Sequence, residues 1–106
     1  MFRGTPQAFA SDTLALAQEA MAIGADKKLS KIERQFLYMP FMHSESRMVH
    51  KTALKLFQSL GKEWVGYEMN HKKIIDRFGR YPHRNAILGR KSTATEKKFL
   101  RTHKGF

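Results

Sequence analysis

The sequence predicts an all-α protein of antiparallel helical hairpins, and three observations carry that expectation. Apolar residues recur at helical spacing along two long stretches, for example Val49, Ala53, Leu56, Phe57 and Leu60. Two capping boxes, Ser30-Lys31-Ile32-Glu33 and Thr93-Ala94-Thr95-Glu96, mark helix starts. No segment shows the period-two alternation of a half-buried strand.

Each element follows from local chemistry. Gly4, Thr5 and Pro6 read as a turn, with Phe2 and Phe9 lacking local cover. Ser11 or Asp12 caps a first helix that runs to about Ile23, with Gly24 as its stop. Ser30 opens a second helix bearing Ile32, Phe36 and Leu37 on one face and reaching Met39, where Pro40 is expected to break or kink it. A third helix spans about Ser46 to Leu60, closed by Gly61. A fourth spans about Lys62 to Phe78, closed by Gly79, with Trp64, Tyr67, His71, Ile74, Ile75 and Phe78 on one face. A short last helix runs from Thr93 through Leu100 or Arg101. The third and fourth helices form a hairpin of the kind that helical repeat proteins stack.

At 106 residues the chain is expected to form a single helical domain, residues 1–106. Its hydrophobic fraction of 42% is that of a folded protein rather than a disordered tail. No apolar run approaches the roughly 18 residues a membrane helix needs, and the N-terminus lacks a signal-peptide core. Zero cysteines excludes disulfides and thiolate metal sites, and fits a cytoplasmic protein. The charge is lopsided: residues 1–50 carry six Lys/Arg against five Asp/Glu, residues 51–106 fourteen against four. That asymmetry makes an anionic small molecule or acidic partner the natural complement, with nucleic acid the weaker candidate because no helix carries a recognition-type basic face.

The densest chemistry lies between residues 77 and 90. Arg77, Arg80, Arg84 and Arg90 share this connection with His83, Asn85, two glycines and a proline, anchored by Phe78, Tyr81, Ile87 and Leu88. Guanidinium forks suit phosphate and carboxylate, so two or three converging on one point would form an anion site. The structural alternative has the same arginines capping the fourth helix and pairing with Glu45 or Asp76, with Asn85 holding the loop. His71 lies on an apolar helix face, and His43 and Glu45 follow the proline. These groups are the remaining candidates for a ligand site or for acid–base work. No spacing matches a metal motif, no nucleophile has an activating partner, and no cofactor is indicated.

Three segments resemble a known bacterial family, catalogued as domain of unknown function 924. They are Phe2-Arg3-Gly4-Thr5-Pro6; Phe36-Leu37-Tyr38-Met39-Pro40-Phe41 followed by His43-Ser44-Glu45; and Arg77-Phe78-Gly79-Arg80-Tyr81-Pro82-His83-Arg84-Asn85 with Leu88-Gly89-Arg90 and Ser92-Thr93. The resemblance implies a tetratricopeptide-like helical array, and it implies that this chain is the C-terminal part of a longer domain. In that case helices upstream, with an Asp-Gln-Phe-Pro-Arg-Asn stretch, would cover apolar faces that otherwise favour homo-oligomerisation. Ser46-Arg47 departs from the family, which is acidic there. The family brings no established activity. Three readings therefore stand: a binder of an anionic ligand or partner through Arg77, Arg80, Arg84 and Arg90, oriented by His83 and Asn85 and floored by His71 and His43; an enzyme on a phosphorylated or carboxylated small molecule, with His43 or His83 as acid–base; and a structural helical scaffold.

Overall fold

The computed structural model describes residues 6–103 and 105, with side chains from residue 13 onward. Among these residues every regular element is helical: α1 (Pro6–Ala22), α2 (Lys31–Met42), α3 (Arg47–Gln58), α4 (Lys62–Phe78) and α5 (Ala94–Leu100), with short 3-10 turns at Ala25–Lys28 and Pro82–Arg84. The all-α class follows the capping and periodicity signals directly. The expected turn over Gly4–Pro6 and the cover of Phe2 and Phe9 lie outside the residues whose side chains are described.

Helices pack in chain order, α1 on α2, α2 on α3 and α3 on α4. One apolar core gathers Ala17, Tyr38, Phe41, Met42, Ala53, Phe57 and Leu60, so three successive helices contribute to it. A second, smaller core holds Ile74, Ile75 and Tyr81, with Phe78 and Phe99 against it. Tyr81 is the bridge from α4 to the loop beyond.

Both capping boxes form. The Ser30 hydroxyl accepts from the Glu33 amide and the Glu33 carboxylate accepts from the Ser30 amide. Thr93 and Glu96 repeat the arrangement at α5. Ser46 caps α3 by accepting from the Val49 amide at 3.2 Å. Gly24 and Gly79 end their helices at φ 73°, the left-handed region that only glycine enters without strain.

Three expectations are corrected. The first helix begins at Pro6, not at a Ser11 or Asp12 cap, because proline is pre-shaped for a first turn and Gln7-Ala8-Phe9-Ala10 continue the helix without a break. Pro40 does not break α2, which runs two residues further. The proline removes one amide, and burial of Phe41 and Met42 to 2% exposure, with the His43 amide bonded to Met39 at 3.0 Å, holds the turn beyond it. The buried face of α2 is Tyr38, Phe41 and Met42, whereas Ile32 and Phe36 are 65% and 75% exposed. Two apolar stripes lie on this helix, and periodicity alone does not say which one a neighbour covers.

The loop after α4 is fastened at both ends by ion pairs. Arg80 grips Glu96 through Nε and Nη2 at 2.8 and 2.7 Å and also donates to the Lys91 carbonyl. Glu96 is thereby both the capping-box carboxylate of α5 and the anchor of the loop. The Arg80 guanidinium is the main cause that holds its carboxyl down to about 2, well below its unfolded range near 4.5. Between those values the unfolded chain binds more protons than the folded one, so this contribution is present above about pH 4.5 and is lost as pH falls towards 2. Glu96→Gln should cost about 2 kcal/mol at neutral pH and should flatten the acid limb of a melting-temperature profile; an unchanged limb would remove the ion pair from the account.

Candidate functional site

The sequence-predicted residues divide into two groups once their partners are traced. The first group builds the scaffold. Glu45, just past α2, accepts from Arg90 through two contacts at 2.8 and 3.0 Å and from the Tyr81 amide at 2.6 Å. Burial alone would raise the Glu45 carboxyl, but the Arg90 and Tyr81 donors outweigh it and the net displacement is downward. Arg90 also donates to the Tyr81 carbonyl at 3.3 Å, so one guanidinium staples the start and end of the loop to the turn after α2. Asn85, 1% exposed, donates to Ser92 at 3.0 Å, while its carbonyl accepts the Arg90 amide. Arg77 lies over the Phe78 ring, 4.6 Å from its centroid, on the outer side of α4. Asp76 takes Lys72 instead of a loop arginine. The carbonyl of Ile75 near the end of α4 is taken by Arg47, outside the loop.

The second group meets around a half-open cavity of about 150 Å³ lined by His43, His71, Tyr81, His83 and Arg84. His43 comes from the end of α2, His71 from α4, and the other three from the loop and its 3-10 turn. Tyr81 forms the floor. His71 meets it edge-on at 5.9 Å between centroids, His83 lies tilted at 5.6 Å, and the Arg84 guanidinium sits 4.6 Å above its ring. His43 and His71 face each other at 5.9 Å. Of the four loop arginines, Arg84 is the one that lines the cavity.

Burial favours the neutral form of all three imidazoles. It is the largest cause of the downward displacement at each, and the Arg84 charge adds to it. His71 is pushed down to about 4. Its Nδ1 bonds the Tyr67 carbonyl at 2.8 Å, and a carbonyl only accepts, so Nδ1 carries the hydrogen and Nε2 is the unprotonated nitrogen.

Behind the floor lies a buried hydrogen-bonded pair that sequence reasoning missed. His50 and Glu68 are both fully buried, with Nδ1 and Oε2 2.7 Å apart. His50 Nε2 donates to the Ser44 carbonyl at 2.6 Å and lies 3.1 Å from the Tyr81 hydroxyl, which donates to the Met42 carbonyl at 2.6 Å. Burial raises the Glu68 carboxyl, and the His50 contact only partly offsets it. Burial also raises the Tyr81 phenol well above its usual range, so Tyr81 stays a neutral donor and its ring remains fixed. A signal was present: His50 falls three residues before Ala53 and seven before Phe57, and Glu68 three before His71, so both occupy buried helical stripes. A polar residue on such a stripe requires a buried partner.

The chain can be compared with other proteins on this geometry. The family model described as "Bacterial protein of unknown function (DUF924)" matches residues 1–104. A solved structure of a protein of unknown function from Agrobacterium tumefaciens superposes with a TM-score of 0.84 at 36% identity. The alignment covers 96% of this chain and 59% of that one, so this chain spans about three-fifths of that protein's length. None of the curated proteins matches. The family match over nearly the whole sequence and the shared all-helical structure agree, and the chain belongs to the bacterial DUF924 family.

Proposed function

We propose that this protein binds a small anionic ligand in the cavity over Tyr81, with Arg84 as the charge and His43, His71 and His83 as the surrounding wall. The observation that carries the reading is the allotment of carboxylates. Glu45, Glu68 and Glu96 are each engaged by a different base, Arg90, His50 and Arg80, and none lines the cavity. Arg84 therefore faces an enclosure lined by no acid among the described residues, and Glu45, which acts on it through space, is itself clamped by Arg90. A guanidinium held against an aromatic ring is oriented before the ligand arrives, which lowers the ordering cost of binding. The basic excess of residues 51–106 would draw the anion in.

Arg80 and Arg90 belong to the fold in this reading, and Asn85 and Glu45 hold the loop that presents Arg84. The cavity is too small for more than a compact head group, so a small molecule is favoured over an acidic protein surface or nucleic acid. An enzyme reading draws support from one feature: His71 is neutral with a fixed tautomer, the state a general base requires. No helix among the described residues is long and apolar enough to cross a membrane. A cytoplasmic setting is proposed from the lack of cysteine.

Phosphate at about ten times its Kd should add about 1.4 kcal/mol to the stability of the parent chain, read as a rise in melting temperature. Arg84→Ala should melt close to the parent but lose that rise. Arg90→Ala should melt markedly lower, by about 2 kcal/mol, yet keep the rise. Equal rises in parent and Arg84→Ala would reject the cavity as the anion site. Without ligand, the depressed His71 makes stability full above about pH 6.5 and declining as pH falls towards 4, since the unfolded chain takes up the proton first. His71→Phe should remove that part of the slope in melts recorded across this range.

A further inference from the structure

A second charged feature shares no residue with the cavity lining. After Asp76 the sequence holds one acid, Glu96, against nine Lys/Arg. Glu96 is 3% exposed, and its carboxylate is occupied by Arg80 and by the capping box of α5. Arg90 is matched by Glu45 and Lys72 by Asp76. The basic excess at the surface therefore falls to other residues.

Their placement follows from the two helices that carry them. On α5, Glu96 is buried and Phe99 and Leu100 are partly so. At about 100° per residue, Lys97, Lys98 and Arg101 fall together on the opposite, exposed side. On α4, Lys73 and Arg77 are exposed and one turn apart. The two sets meet at an aromatic seam. The Phe78 and Phe99 rings pack at 5.0 Å between centroids, and the Arg77 guanidinium lies 4.6 Å from the first and 5.8 Å from the second. Five cations from two helices thus make one strip.

The composition of the strip selects its partner. A protein surface docks through apolar or aromatic anchors, and lysine is depleted there. Among the described residues, none of the exposed large apolar side chains lies on α5 or on residues 73–78 of α4. A nucleic-acid backbone needs only cations, because the counterions it releases drive the association. We propose that Lys73, Arg77, Lys97, Lys98 and Arg101 bind the phosphate backbone of a nucleic acid without reading its sequence. A seven-residue helix laid against the fold is no groove reader, so the contacts stop at phosphate.

The test is fluorescence anisotropy of the full chain with a labelled oligouridylate and a mixed-sequence RNA strand. If each of the five cations neutralises one phosphate, affinity for both strands should fall about a hundredfold between about 50 and about 200 mM salt. Lys97→Ala with Lys98→Ala should weaken binding and reduce that fall to about twentyfold. Lys51→Ala with Lys55→Ala removes two exposed lysines from α3 and should leave the hundredfold fall in place. Lys98→Gln with Arg101→Gln is the second strip variant should the first fail to fold, with the same expectation. Polyglutamate and phosphatidylserine vesicles should bind more weakly than RNA at equal salt. No anisotropy change at the lower salt, binding confined to one of the two strands, equal losses in the α3 and α5 variants, or tighter binding by polyglutamate or vesicles would each overturn the proposal.

Discussion

The Glu45 carboxylate is the joint on which the structure depends. It sits in the turn after α2, yet its partners, Arg90 and the Tyr81 amide, lie 45 and 36 residues further on. Removing it would release the loop at both its start and its end. Local signals make the helices, but this contact decides where the irregular segment between α4 and α5 comes to rest. Because a partly buried carboxylate with three donors is costly to leave unmatched, the alternative positions of the loop are penalised as well as the observed one favoured.

Much of the helical framework was legible because its signals are local. Ser30 with Glu33, Thr93 with Glu96, and Gly24 and Gly79 act over a single turn, and a single turn can be read from the sequence. Where two non-local choices competed, the reading failed. α2 carries apolar residues on two faces, and only the approach of α1 and α3 selects Tyr38, Phe41 and Met42 over Ile32 and Phe36. Pro40 illustrates the same point in reverse: a local prohibition yields when the two residues beyond it are deeply buried.

The candidate site was legible as a cluster but not as an arrangement. Arginine density in an anchored loop marked residues 77–90, and within that loop composition treats Arg77, Arg80, Arg84 and Arg90 alike. Their roles separate only through partners far along the chain, Glu96 for Arg80 and Glu45 for Arg90, while Arg84 is left on an aromatic ring. His71 and His43 were singled out from opposite contexts, an apolar face and a proline turn, and packing brings the two to one wall. His50 and Glu68 escaped notice because a polar residue on a buried helical stripe carries no local mark of its distant partner.

Tyr81 does two jobs with one side chain: its hydroxyl is tied into the core at Met42, and its ring is the floor on which His71, His83 and Arg84 are arranged. Any change that reshapes that floor is filtered first by whether the chain still folds. Arg84 reaches over the floor from the rim, with its guanidinium on the ring face rather than in the core. Variation in ligand preference among proteins built on this plan would thus accumulate at the rim of the cavity, while its base stays fixed for reasons unconnected with what is bound.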